Sequence, residues 1–240
     1  MGLKLTVLGC DGSYPGPGGA ASGYLVQSGE ATIWLDAGNG TLANLQRHIR
    51  LDDVDAIVLS HSHGDHLVDA EAYYVAVKYG DDPREGIAVF APAEVVDRLE
   101  DKRPTFALQA VADSDRRTFR DVELTFSRTD HMVETLAVRL ESGGKVLGYS
   151  ADSGSGWSME SLGPGIDLAL CEASFLQDRE GSVQHFSARQ AGTTARAAGV
   201  GRLVITHIWP TLDHDASRAE AEAAFGAPVE VAAIDAVYDV

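Results

Sequence analysis

Apolar residues fall in short bursts along this chain, divided by glycines and charged turns. Segments 3–9, 23–29 and 31–38 (LKLTVLG, GYLVQSG, ATIWLDAG) are rich in β-branched and apolar residues and bounded by glycine, which predicts three consecutive strands. Leu42, Leu45 and Ile49 then recur at helical spacing within 41–49. A short apolar run at 54–61 reads as a buried strand, and 67–80 as a helix stopped by Gly80. Further strands are expected at 86–92, 122–129, 136–142, 145–152 and 166–173. Residues 187–199 open with Ser187 and place Gln190 three positions on, the signature of a capping box. The alanines of that helix suit close packing on a sheet. A strand at 202–207 and an acidic amphipathic helix at 216–226 complete the series. No internal repeat or low-complexity stretch interrupts it. The expectation is one α/β domain over residues 1–240, with the Gly/Pro-rich segment 12–23 as a mobile loop between two strands.

Composition narrows the class. The chain is 45% hydrophobic, enough for a buried core. It has no run of about 18 apolar residues, so no membrane-spanning helix is expected. The N-terminus lacks a basic stretch followed by an apolar one, so no signal peptide is expected either. The two cysteines, Cys10 and Cys171, each end an apolar run and belong to no C-x-x-C pair. Buried, reduced thiols in a cytoplasmic protein follow, with no cysteine zinc site. The net charge of −17 repels long nucleic acid, which basic patches normally hold. It still admits a small anion drawn to a locally positive metal site.

The chemistry gathers at SHSHGDH, residues 60–66, where His61, His63, Asp65 and His66 crowd together in a chain with eight histidines in all. Imidazole and carboxylate ligands suit zinc, manganese or iron(II), and the missing thiolates argue against a purely structural zinc site. His61 and His63 are two apart and point the same way in an extended exit from the strand. Asp65 and His66 begin the next helix and reach toward a second ion. His131, Asp152 and His207 each lie at or just past the end of another predicted strand, where layered α/β folds converge on one edge. Seven groups exceed the needs of one tetrahedral ion and suit two, with Asp152 able to bridge through its two oxygens. His48 and His214 are read as surface residues, with the DHD run at 213–215 capping the last helix.

The ordered set His61-x-His63-x-Asp65-His66, then His131, Asp152 and His207, resembles the metallo-β-lactamase superfamily. The resemblance runs from about residue 3 to the C-terminus. It implies a four-layer αββα sandwich with two divalent ions at one edge of the sheets, zinc first, manganese or iron as alternatives. Asp36, in LDAG, resembles the early family motif whose aspartate supports the ligands from outside their ring. CEASF (171–175), HFSARQAG (185–192) and LVITH (203–207) are similar to the ribonuclease Z-like branch of phosphodiesterases. That likeness implies that His185 contacts the phosphate and assists the leaving group, with Glu172 orienting it. Asp65 would serve both as a ligand and in catalysis, with a hydroxide between the ions as nucleophile.

Ribonuclease Z enzymes often carry a long Gly/Pro-rich arm between the third and fourth motifs. Here only twenty residues separate His131 from Asp152. The short pattern looks more like small phosphodiesterases of this branch, including class II-like cyclic-nucleotide enzymes. The expected substrate is therefore a small phosphodiester. Ribonuclease Z-like RNA processing and an acyl hydrolase for lactones or thioesters are the alternatives, with a non-catalytic metal-binding protein behind them. A homodimer is compatible with the branch, and neither a membrane nor long nucleic acid is an expected partner. The Gly-rich loop and Trp209-Pro210 are expected to wall the pocket.

Overall fold

A computed structural model of the chain describes residues 2–240. Two seven-stranded sheets form its centre. The first contains β1 (Lys4–Gly9), β2 (Gly23–Gln27), β3 (Thr32–Ala37), β4 (Ala56–Val58), β5 (Ile87–Ala91), β6 (Phe106–Ala110) and the last strand, β14 (Val237–Asp239). The second contains β7 (Arg116–Phe119), β8 (Val122–Arg128), β9 (Leu136–Ser142), β10 (Lys145–Tyr149), β11 (Leu168–Glu172), β12 (Arg202–Thr206) and β13 (Val229–Val231). Helices α1 (Thr41–Leu45), α2 (Gly64–Tyr79) and α3 (Ala93–Arg98) accompany the first sheet, and α4 (Ala188–Ala197) and α5 (His214–Phe225) the second.

Alternation along the strands builds the layers. In β3, Ile33 and Leu35 enter the core between the sheets, while Trp34 and Ala37 face the helices with Leu67, Ala70 and Tyr73 of α2. In β11, Leu168 and Leu170 face the other sheet, and Ala169 and Cys171 face α4. The result is the αββα sandwich expected above. Its parallel strands are covered on both sides, which is why 54–61 and 166–173 read as nearly unbroken apolar runs. Cys10 and Cys171 are free and buried. No helix among the described residues is long and apolar enough to cross a membrane.

The two sheets share one plan. Each runs through three antiparallel pairings and then three parallel ones, from β14–β1 to β5–β6 and from β7–β8 to β12–β13. The sequence shows no repeat, yet the pairing pattern occurs twice.

Several elements differ from expectation. Helix α2 begins at Gly64, three residues early, because His63 supplies an extended N-cap and Asp65 sits favourably in the first turn. Helix α1 ends at Leu45, and a turn carries the chain on to Ile49, which still packs on the same core. Strands β6, β7, β13 and β14 and helix α3 were not expected. The edge strand β7 reads RRTF, whose arginines hide its pairing while blunting an exposed edge. The capping box of Ser187 and Gln190 is present, and Asp213 caps α5.

One glycine matters to everything that follows. A Cβ on Gly38 would lie 2.0 Å from the Asp65 carbonyl oxygen and 2.8 Å from that of Ser22. Only glycine lets the LDAG turn pass beneath the first turn of α2. Gly38→Ala is expected to cost about 1–3 kcal/mol through overpacking against backbone, read from the denaturant midpoint. Unchanged stability would mean that α2 shifts freely at its N-terminus.

Candidate metal centre

Strand ends assemble the site. His61 and His63 leave β4, His131 follows β8, Asp152 follows β10, and His207 follows β12, while Asp65 and His66 lie in the first turn of α2. Three non-glycine residues here adopt the left-handed backbone region: Asp36 (φ 54°), Ala151 (φ 50°) and His207 (φ 54°). Such conformations cost on the order of 1–3 kcal/mol each and persist where the surroundings enforce them.

All seven expected ligands meet, in two groups that share Asp152. His61, His63, His131 and Asp152 form one, and Asp65, His66, Asp152 and His207 the other. In the first, His61 Nε2 is 3.1 Å from His63 Nδ1, which is 3.3 Å from His131 Nε2. Asp152 Oδ2 lies 3.5 Å from His61 Nε2 and 3.8 Å from His131 Nε2. In the second, Asp152 Oδ1 is 3.2 Å from His66 Nε2 and 3.4 Å from His207 Nε2. Asp65 Oδ2 is 3.5 Å and 3.3 Å from the same two nitrogens. The edge of a tetrahedron built on zinc–nitrogen bonds of about 2.0–2.1 Å is about 3.3–3.4 Å. The spacing therefore fits a metal ion in each group.

Hydrogen bonds behind the rings fix which nitrogens face inward. Asp36, 0% exposed, accepts from the Ser60 backbone N–H, Ser60 Oγ, His66 Nδ1 and Tyr149 Oη, each at 2.7 Å. Ser60 Oγ in turn accepts from His61 Nδ1 at 2.9 Å. Glu172 repeats the device on the other sheet. It accepts from Ser174 Oγ at 2.6 Å, and Ser174 Oγ accepts from His207 Nδ1 at 2.8 Å. His131 donates from Nδ1 to the Gln184 carbonyl at 3.0 Å. Four imidazoles thus spend Nδ1–H on an acceptor and turn the Nε2 lone pair inward. The Ser13 backbone N–H, 3.3 Å from His207 Nε2, agrees with that tautomer.

Two inward atoms, His66 Nε2 and Asp152 Oδ1, are buried without a hydrogen bond, which a shared cation would satisfy. The electrostatics point the same way. Burial works against a charged His66, yet Asp152, Asp65 and Asp36 raise its pKa well above the usual histidine value. Burial and the neighbouring His66 ring push His61 well down. Burial would raise Asp152, but His207 and His66 hold it well below the usual carboxylate range. The carboxylates favour positive charge at the centre, while His61 is driven toward the neutral form that can ligate a metal.

His185 lies beside the two groups. Its Nδ1 is 3.1 Å from Glu172 Oε1 and 3.9 Å from Asp152 Oδ2, and its ring stacks on His207 with centroids 5.5 Å apart. Burial lowers its pKa, but the Glu172 carboxylate outweighs this and brings it to about 9. Its side chain keeps 13% exposure, and it lines a cavity of about 860 Å³ with Asp130, Met132, Phe175, Arg179 and Trp209. Trp209 is part of that wall, as expected, whereas Pro210 and the 12–23 loop are not. The loop instead backs Trp209, with the Tyr14 ring edge-on at 5.3 Å.

Residue patterns alone did not single out Ser60, Ser174, Tyr149 or the Gln184 carbonyl. Ser60 adjoins His61 and Ser174 lies in the CEASF motif, so adjacency was the available signal for both. His48 pairs with Asp235 and His214 opens α5, both away from the centre.

A family model for the beta-lactamase superfamily domain matches residues 31–208. The chain belongs to the metallo-β-lactamase superfamily and is a metallo-hydrolase of it. A probable metallo-hydrolase, YhfI of Bacillus subtilis (strain 168), is 32% identical over 244 residues, spanning 99% of this chain and 100% of that protein. The YhfI crystal structure superposes with a TM-score of 0.94 at 29% identity, covering 100% of both chains. Ribonuclease Z of Mycobacterium bovis (strain BCG / Pasteur 1173P2) is 24% identical over 268 residues, 95% of each protein. The short form of human tRNase Z shares the fold, with a TM-score of 0.80 at 18% identity over 99% of each chain.

Removing a hydroxyl behind the ligands tests the division into two groups. Ser60→Ala is expected to weaken metal binding by roughly 10–100-fold through His61, and Ser174→Ala by a similar factor through His207. Titration against a chromophoric chelator should show a different ion loosened in each variant, and Asp152→Ala should loosen both. A single ion lost equally in all three variants would refute two separate groups.

Proposed function

We propose that the chain is a phosphodiesterase for small phosphodiesters, with two divalent ions per chain, zinc first. The observation that carries this reading is His185. It stands outside both ligand groups, is backed by Glu172, faces the cavity, and has no hydrogen bond at Nε2 among the described residues. A histidine so placed can give a proton to the leaving oxygen of a phosphodiester.

Two divalent ions held by the seven residues would supply a Lewis acid for phosphate oxygens and would lower the pKa of water at the site. The side chains do the rest. Asp65 is held ionised by His66 and His207 against the effect of burial. Its carboxylate therefore accepts a hydrogen bond from the attacking water at neutral pH. Glu172 is fixed by the Ser153 N–H at 2.6 Å and Ser174 Oγ at 2.6 Å, and it takes the Nδ1–H of His185. That contact stabilises the imidazolium, from which Nε2 delivers a proton to the leaving oxygen.

Substrate size follows from charge and topology. The net charge of −17 opposes a long polyanion. The span from His131 to Asp152 is taken up by the β9–β10 hairpin and leaves no arm for transfer RNA. Likeness to a relative named ribonuclease Z, 24% identical, supports this reading. A cyclic nucleotide or a similar small diester is the natural substrate on this reading.

The test is hydrolysis of bis(p-nitrophenyl) phosphate by the zinc- or manganese-loaded protein. With adenosine 3′,5′-cyclic monophosphate, whose leaving alkoxide needs a proton, His185→Ala should retain both ions and lose roughly 10²–10⁴-fold in turnover, whereas the stable nitrophenolate should leave almost unaided. Full activity of that variant on the cyclic nucleotide would remove His185 from the reaction. Cleavage of lactones or thioesters without any diester would move the chain to the acyl hydrolases.

A further inference from the structure

Arg179 is the one lysine or arginine on the wall of the cavity beside His185. Most arginines of this acidic chain are paired, such as Arg189 with Glu180, Arg120 with Asp55 and Arg98 with Glu71. Arg179 forms no ion pair among the described residues. Its guanidinium instead lies over the Phe175 ring, 5.3 Å from the centroid. Phe175 packs against Trp209 at 5.2 Å and 33°, and its ring meets His185 nearly perpendicularly at 6.2 Å. Phe175 is buried while Arg179 is exposed. The guanidinium therefore sits over an aromatic ring at cation–π distance, and Arg179 borders the cavity that the proposed proton donor also lines.

A guanidinium seated over a ring can offer its free side to a further planar group. Surfaces of this kind hold planar heterocycles, and base stacking on aromatic or arginine planes tolerates any base. The nearby acceptors suit the same guest. Asp130 also lines the cavity, and its Oδ2 takes the Gly156 N–H at 2.8 Å, which fixes the carboxylate there. A volume of about 860 Å³ lies within the range of small-molecule sites and holds a nucleoside next to the phosphate.

We infer that Arg179, stacked on Phe175, forms a base-binding platform that selects phosphodiesters carrying a nucleobase on the leaving-group side. This rests on the phosphodiesterase reading and makes Arg179 a specificity-determining residue.

The test compares two ligands that share a phosphate and a ribose and differ in the base, adenosine 5′-monophosphate and ribose 5-phosphate. Their binding to the zinc-loaded protein is measured by calorimetry. The wild type should prefer the nucleotide by about 5- to 150-fold, the factor for stacking one base. Arg179→Ala should erase that preference and leave ribose 5-phosphate binding where it was. Arg179→Lys keeps the charge but lacks the plane, so it should behave like the alanine variant. Equal wild-type binding of the two ligands would overturn the platform. So would a lysine variant that keeps the preference, since the guanidinium plane would then select nothing, or an alanine variant that loses both ligands equally, since Arg179 would then be a simple phosphate contact. Turnover of bis(p-nitrophenyl) phosphate on the same preparation reads the phosphodiesterase assignment separately, because calorimetry needs no catalysis.

Discussion

The carboxylate of Asp36 is the point on which the site hangs. An ionised group without exposure to water costs several kcal/mol unless its oxygens are satisfied. Asp36 meets that demand with four hydrogen bonds drawn from separate parts of the chain: two from Ser60, beyond β4, one from α2 and one from Tyr149 of β10 in the opposite sheet. Hydrogen bonds to charged groups contribute about 1.5–3 kcal/mol each. The set is therefore of the size needed to offset the burial. Satisfying this carboxylate docks the first turn of α2, orients His61 and His66, and joins the two sheets at the edge where the ligands collect.

Glu172 does for the second sheet what Asp36 does for the first. Each carboxylate holds one histidine directly, His66 or His185, and a second through a serine, His61 through Ser60 or His207 through Ser174. The parallel has one break. His66 turns its far nitrogen into a ligand group, whereas the far nitrogen of His185 is uncommitted beside the cavity. On the proposed reading the same support serves metal binding on one side and proton delivery on the other.

The sequence carried most of the site because the ligands are chemically conspicuous. His61, His63, Asp65 and His66 lie within one turn and its approach, and His131, Asp152 and His207 mark strand ends that apolar runs reveal. The sandwich was legible for a similar reason, since parallel strands covered on both faces must be apolar throughout. What escaped notice is what depends on the folded path. Strand β7 is polar because it lies at an edge, and β13 and β14 have three residues each, too few for a period to show. Ser60 and Ser174 become informative only when a carboxylate and an imidazole arrive on either side. Tyr149 reaches Asp36 across the interface between sheets, a contact 113 residues apart in the chain. Arg179 resembles any surface arginine until Phe175 is found beneath it.

His131 is held by the main-chain carbonyl of Gln184 rather than by a side chain, and every residue type offers that acceptor. The segment from Leu176 to Gln184 also forms a wall of the cavity. Its side chains can therefore be exchanged without disturbing the imidazole, provided the main chain keeps its course. Such a wall separates what is recognised from what is catalysed. Over evolutionary time, descendants of this scaffold can take on new substrates by rewriting one loop while inheriting the metal-binding centre intact.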